Sequence, residues 1–308
     1  MLKNLLTFTK KNFVPRFMKI GRKKEDDELT KELKKYSKYK EREKGLLGLF
    51  ASIVNFVTLR FFGFKFVKSY SINHNSVAKR IFSKCSLEKS NDGYFYLNPM
   101  PTRDELDEYY QNIYWNARER KNYGANTRDL LHFNLLKTYI PSEINPGKVF
   151  LNFGAGHGGI SNLLWLVGMD IINVEPSNLP KFYDQRWNIY KLLSDVADNS
   201  ADIIYGCHSL EHVRDIDKFK SEVKRVLKPN GFLFWEVPNS NWPANGVQTG
   251  NIDIPHTYYF STGFFDNWFS KTLLNKGYES CERFGVIEKW SDFEKKTGPV
   301  IRALGKID

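Results

Sequence analysis

From residue 148 onward the chain alternates short β-forming runs with helical ones, and that alternation admits few folds. VFLNF is predicted to be a strand, a run of glycines follows it, and ISNLLWLVG reads as a helix. DIINVE, a short stretch near IYKLL, ADIIYG and FLFWEV read as further strands. IDKFKSEVKRVL reads as a helix with Phe219, Val223, Val226 and Leu227 on one face. Pro229-Asn230-Gly231 reads as a turn. Ser261 is placed to cap a helix that carries Phe264, Phe265, Trp268, Phe269 and Leu273 and is ended by Gly277. ESCERFGVI and PVIRALGK read as closing β runs. Strands that alternate with helices imply a parallel sheet covered by helices on both faces.

Ahead of this region the pattern is different. Residues 68–90 are polar and weakly patterned. Thr102 is placed to cap a helix whose first turn carries Asp104 and Glu105, the end where negative charge is favourable. Residues 125–140 read as a helix stopped by Pro141. Charge divides the chain as well. Residues 1–84 hold 21 Lys and Arg against 7 Asp and Glu, whereas the rest holds 25 against 28. Three parts are therefore expected: a basic helical N-terminal extension over 1–84, a linker and helical lead-in over 85–147, and an α/β domain over 148–308. Basic arms attract phosphates, and the alternative is a solvated tail. GLLGLFASIVNFVTL, residues 45–59, falls short of the roughly 20 apolar residues a span takes and could span only if Arg60 snorkels. It fits an interfacial helix or one packed against the α/β domain. The three scattered cysteines form no CxxC pair, which fits a reducing cytoplasm and supports neither a disulfide framework nor a zinc ribbon.

The turn after VFLNF carries the first sign of chemistry. Open α/β sheets bind ligands outside the carboxyl ends of their strands, where strand order reverses. Gly154-Ala155-Gly156-His157-Gly158 lies at such an end, and glycines let the backbone bend and approach a ligand closely. Glu175 ends the next strand, where a carboxylate can accept hydrogen bonds from ribose hydroxyls. Gly154, Gly156 and Gly159 also satisfy GxGxxG. By itself the turn fits an adenosyl-cofactor methyltransferase, a nicotinamide or flavin enzyme, or a structural bend. The helical region before the first strand, and the lack of a second dinucleotide half, weigh against the nicotinamide reading.

The stretch SADIIYGCHSLEHVRDIDKFKSEVKRVLKPNGFLFWEVPN, residues 200–239, is more specific. Asp202, Leu210-Glu211-His212-Val213, Leu227-Lys228-Pro229-Asn230-Gly231 and Val237-Pro238-Asn239 stand in the order and spacing of one large group. This stretch resembles class I S-adenosylmethionine-dependent methyltransferases of the LEHV, LKPGG, VPN type, and the similarity extends over about residues 94–308, including His256 before YYFS. The resemblance implies a Rossmann-like, seven-stranded, mostly parallel sheet with helices on both faces, and S-adenosyl-L-methionine as cofactor. It implies that Gly154, Ala155, Gly156 and Gly158 hold the methionine moiety and Glu175 the ribose. Leu193 and Ser194 would lie near adenine, and Cys207 and His208 would face cofactor and acceptor. The position two before Gly154, often acidic in the family, is Asn152, whose amide can still hydrogen-bond.

A hydroxyl acceptor needs a base, and His208, His212 and His256 are the candidates because neutral imidazole accepts a proton near neutral pH. Each also has a structural reading, as a loop-fixing hydrogen-bond partner. No metal is assigned, although His208, Glu211, His212 and His256 resemble the divalent-ion ligands of some ubiquinone-pathway and RNA 3′-end methyltransferases. The leading expectation is O-methylation of a small molecule or glycan, lipid-linked in one version, by a cytoplasmic enzyme held peripherally at an anionic membrane surface through residues 1–67. The alternatives are an RNA methyltransferase and a non-catalytic cofactor-binding protein. Against nucleic acid, the aromatics of the arm lie mostly in its apolar run and are not interleaved with the basic residues as a stacking groove requires.

Overall fold

The computed structural model describes residues 76–110, 127–176, 187–242, 245–250, 252–278 and 298–308. The apolar run 45–59, the basic arm and ESCERFGVI lie outside them. The major sheet is built from β3 (Val149–Phe153), β4 (Asp170–Val174), β5 (Asn188–Tyr190), β6 (Ala201–Cys207), β7 (Leu227–Pro238), β9 (Lys271–Tyr278) and β10 (Val300–Lys306). Its seven strands run in the order β5-β4-β3-β6-β7-β10-β9. The pairs among β3, β4, β5, β6 and β7 are parallel, and β10 is antiparallel to both β7 and β9. This is the Rossmann-like arrangement the motifs imply.

Alternation along the strands sends side chains to two apolar layers. Leu151, Ile204, Leu233, Trp235, Val237, Ile301 and Ala303 face one side, where α5 (Ile216–Val226) and α6 (Thr262–Trp268) cover them. Phe150, Ile203, Tyr205, Phe232, Phe234 and Leu304 face the other, under α3 (Thr127–Tyr139) and α4 (Gly159–Leu166). Helix α5 shows why the sequence folds this way. Ile216, Phe219, Val223 and Val226 recur at helical spacing and are all buried. The Asp215 carboxylate caps the helix by accepting the Lys218 N–H, and Lys224 and Arg225 occupy its last turn, where positive charge is favourable. At the amino end of the sheet Asp202 clamps three strands. It accepts the Val149 N–H at 2.8 Å and an ammonium hydrogen bond from Lys228 at 2.6 Å. The acid of the fourth-strand motif is thus structural and lies at the opposite end from the glycine turn.

A second, three-stranded sheet joins β1 (Ser86–Lys89) and β2 (Tyr94–Asn98) to β8 (Tyr258–Phe260) of the later part of the chain. Beside it lie α1 (Ser76–Phe82) and α2 (Arg103–Tyr109), with Ile81, Phe82, Leu97, Leu106, Tyr109 and Tyr259 buried together. Thr102 caps α2 reciprocally: its hydroxyl accepts the Glu105 N–H and Glu105 accepts the Thr102 N–H. No helix among the described residues is long and apolar enough to cross a membrane.

The structure departs from the sequence reading in four places. Residues 68–90, read as polar and weakly patterned, hold α1 and β1. Pro229-Asn230-Gly231 does not separate helix from strand. It is an irregularity inside β7, whose pairing moves from Leu227 opposite Ala201 to Phe232 opposite Ile203. The helix expected to continue through Leu273 to Gly277 stops at Trp268, because 271–278 pairs with β10 and its backbone is satisfied there. Ser261 sits at the N-cap of that helix, but its hydroxyl donates to the Gly93 carbonyl at 2.6 Å and does not cap it.

Candidate active site

From β3 the chain moves outward to β4 and β5, then crosses back to β6 and β7, so strand order reverses between β3 and β6. The glycine turn stands at that point. Gly154 and Ala155 both donate their N–H to the Val174 carbonyl, at 2.9 and 3.2 Å, which folds the turn over the tip of β4. Gly154, Gly156 and Gly158 all have positive φ. A Cβ on Gly158 would lie 2.8 Å from the Trp187 ring, and one on Gly154 would lie 2.5 Å from the Ser209 Cβ. Among the described residues, a Cβ on Gly156 would meet nothing nearer than the Gly154 oxygen at 4.0 Å. Among the described residues, the turn is therefore walled at its two ends and not at its middle.

Glu175 faces that opening. Its buried carboxylate accepts the Gly156 N–H at 2.8 Å, across 19 residues of chain. Carboxylate and bent glycine backbone thus meet at adjacent strand tips, as an adenosyl group requires: the carboxylate can take hydroxyl hydrogens, and the bare backbone at Gly156 leaves room beside them. The remaining cofactor candidates are placed less directly. The Asn152 amide donates to Ser161, which donates to Asn173, a buried chain beneath the turn. The Leu193 side chain lies in the core, and Ser194 after it is exposed. The Cys207 thiol points to Glu236 at 3.5 Å, and burial pushes its pKa far up, so it is no thiolate.

Past the tip of β6 the three candidate histidines come close to one carboxylate. His208 has a left-handed backbone, φ 51°, and its Nδ1 lies 3.1 Å from Glu211. Its Nε2 lies 3.5 Å from Glu236. Burial disfavours its charged form, but hydrogen bonds to Glu211 and Glu236 outweigh that and raise its pKa to about 9. Near neutral pH His208 is therefore an imidazolium held between two carboxylates. Both of its nitrogens face carboxylates, an arrangement that favours the charged ring over the role of base. Burial would raise the Glu211 pKa, but the bond from His208 and the nearby His212 and His256 hold it at about 2.

His212 and His256 remain as base candidates. Their rings pack at 5.0 Å between centroids, and His256 Nε2 lies 3.9 Å from Glu211. His212 Nδ1 shares a 2.7 Å hydrogen bond with the Tyr110 hydroxyl, and His256 Nδ1 lies 3.6 Å from Asp253. Donor atoms of Glu211, His212 and His256 lie within 4.8 Å of one another, as do those of Cys207, His208 and Glu236. Such nitrogen and oxygen sets suit several divalent ions.

Behind the site lies a network absent from the sequence reading. Glu236 is buried and accepts from Arg302 Nε at 2.6 Å and from His132 Nε2 at 2.8 Å. His132 is also buried. Desolvation, opposed by Glu236, lowers its pKa to about 4, so it is neutral and its Nδ1 accepts the Tyr205 hydroxyl hydrogen at 2.7 Å. Burial would raise the Glu236 pKa, yet the charge of Arg302 and the bond from His132 drive it well below the usual carboxylate range. The one sequence signal for this network is Glu236 itself, an acid within the apolar run FLFWEV.

A family model described as a methyltransferase domain matches residues 114–275. No curated protein matches the chain. Among solved structures, a SAM-dependent methyltransferase from Archaeoglobus fulgidus is 20% identical, over 57% of this chain and 94% of that one, with a TM-score of 0.41. The phosphoethanolamine N-methyltransferase 2 of Haemonchus contortus, with S-adenosyl-L-methionine bound, is 23% identical over 35% of this chain and 28% of that one, with a TM-score of 0.31.

Proposed function

The chain belongs to the methyltransferase-domain family and is an S-adenosylmethionine-dependent enzyme, and from that premise we propose that it methylates a hydroxyl of a small molecule or glycan. When bound, the cofactor supplies a methyl group already activated on sulfonium. The chain's own residues then hold, orient and deprotonate. Gly154, Ala155, Gly156 and Gly158 would cradle the cofactor, with Glu175 on its ribose.

One observation carries the hydroxyl reading. His212 and His256 pack together beside an ionised, buried Glu211, directly after the Ser209 that walls the glycine turn. An alcohol methylates only as its proton leaves, and an imidazole whose cation is stabilised by a nearby carboxylate can take it. His208, already protonated, would contribute charge and position.

The basic arm supports a lipid-linked or phosphate-bearing acceptor at the cytoplasmic face of a membrane. Retention of the full chain on anionic liposomes tests that part. The test of the acceptor class is to offer fractionated extracts with methyl-labelled S-adenosylmethionine. Label is expected in small-molecule or glycan fractions, in a form that hydriodic acid releases as an ether methyl. Label confined to RNA, or to amines, would overturn the proposal.

A further inference from the structure

We infer that Glu236 is a positioning residue for methyl transfer: it acts through His208, and by way of it the lead-in helix α3 and the last strand β10 set the imidazole at the tip of β6. The inference rests on reading His208 as a charge that helps to place the acceptor.

Side chains from α3, β6 and β10 converge on this one carboxylate of β7. Its Oε2 accepts from Arg302 Nε at 2.6 Å and from His132 Nε2 at 2.8 Å. Its Oε1 lies 3.5 Å from His208 Nε2, 3.5 Å from Cys207 Sγ and 3.8 Å from Arg128 Nη1. Charge fixes the direction of the bonds to Oε2. An ionised carboxylate only accepts and a guanidinium only donates, so His132 presents its Nε2–H. Glu236, Arg302 and His132 are all buried, so water does not compete for these bonds. With Oε2 held by two donors, the carboxylate has one orientation, and that orientation turns Oε1 toward His208.

The grip on His208 is threefold. Its N–H donates to the Glu236 carbonyl at 2.9 Å, its Nε2 faces the Glu236 carboxylate, and its Nδ1 lies 3.1 Å from Glu211. The ring cannot turn without leaving a carboxylate, although 33% of its side chain is exposed. The acceptor has to be held in line with the sulfonium methyl, and small displacements of the groups that hold it slow transfer strongly. His132 belongs to α3, in the lead-in over 85–147, so docking of that segment on the α/β domain reaches the site through Glu236.

The test is a double-variant cycle of E236Q and H208N in the full chain, with methyl-labelled S-adenosylmethionine and an active extract fraction. E236Q should slow turnover about tenfold when His208 is present and about twofold or less when H208N has removed it. E236D keeps the charge beside Arg302 and draws it back from His208, and it reads the same cycle should E236Q fail to fold. Nitrogen NMR with labelled histidine, His208 assigned through H208N, needs no acceptor. His208 should lose its proton at lower pH in E236Q or E236D than in wild type. Equal slowing in both backgrounds, or a His208 that titrates alike in all three proteins, overturns the inference and leaves the reading of His208 standing. H208N that methylates as fast as wild type overturns both.

Discussion

Ser209 stands where a side chain on Gly154 would have to go: a Cβ there would lie 2.5 Å from the Ser209 Cβ. Gly154 and Gly156 both have positive φ, yet only Gly154 is walled in. Substitution at the two should therefore fail in different ways. G154A adds a collision to backbone strain and should destabilise the fold by about 1–3 kcal/mol. G156A adds strain alone, with its methyl entering the opening that Glu175 faces, so its larger loss should be in S-adenosylhomocysteine affinity. Thermal unfolding and calorimetry on both variants separate these outcomes, and equal effects on both properties would contradict them.

The His208 clamp makes a prediction about pH. Its pKa rises from 6.5 to about 9 on folding, so its contribution to stability is complete below 6.5 and is lost as pH climbs through 9. Glu211 behaves oppositely. Its pKa falls from 4.5 to about 2, so its contribution holds above 4.5 and is lost as pH drops toward 2. Urea midpoints measured from pH 6 to 9 should decline more steeply in wild type than in H208N, where asparagine accepts the left-handed backbone. Parallel curves would show that the imidazolium is not held as described.

Glu236 and Arg302 face each other across β7 and β10, both buried. Removing one buried charge strands the other, so E236A should cost about 3–5 kcal/mol. Replacing both, as E236L with R302M, should restore part of that loss, because neither charge of the pair is left buried alone, while His132 and His208 still lose their acceptor. Denaturant melts with a constant m-value check this, and a double variant no better than E236A would contradict it.

How much of this was legible in the sequence depends on the reach of each interaction. β3, β4 and β6 follow from short β-forming runs, and the glycine turn with Glu175 follows from spacing along adjacent strands. Residues 271–278 were misread because Leu273 and Leu274 suit either a helix or a strand. What decides is the ladder to β10, far along the chain. His208 was legible as a site residue but not in its charge, which Glu211, three positions on, and Glu236, 28 positions on, favour together. His132 lies 104 residues from Glu236, and Arg302 lies 66 from it, so no local pattern announces that network. Tyr110 escaped for the same reason.

The most direct test of the cofactor site is calorimetric titration of the full chain with S-adenosylhomocysteine, for wild type beside E175Q. Hydrogen bonds to a charged group contribute about 1.5–3 kcal/mol. Wild type should bind at one saturable site, and E175Q, which keeps the shape and loses the charge, roughly 10- to 100-fold more weakly. No binding by wild type, or equal affinity in the two proteins, would contradict the placement of the adenosyl group between Glu175 and the glycine turn.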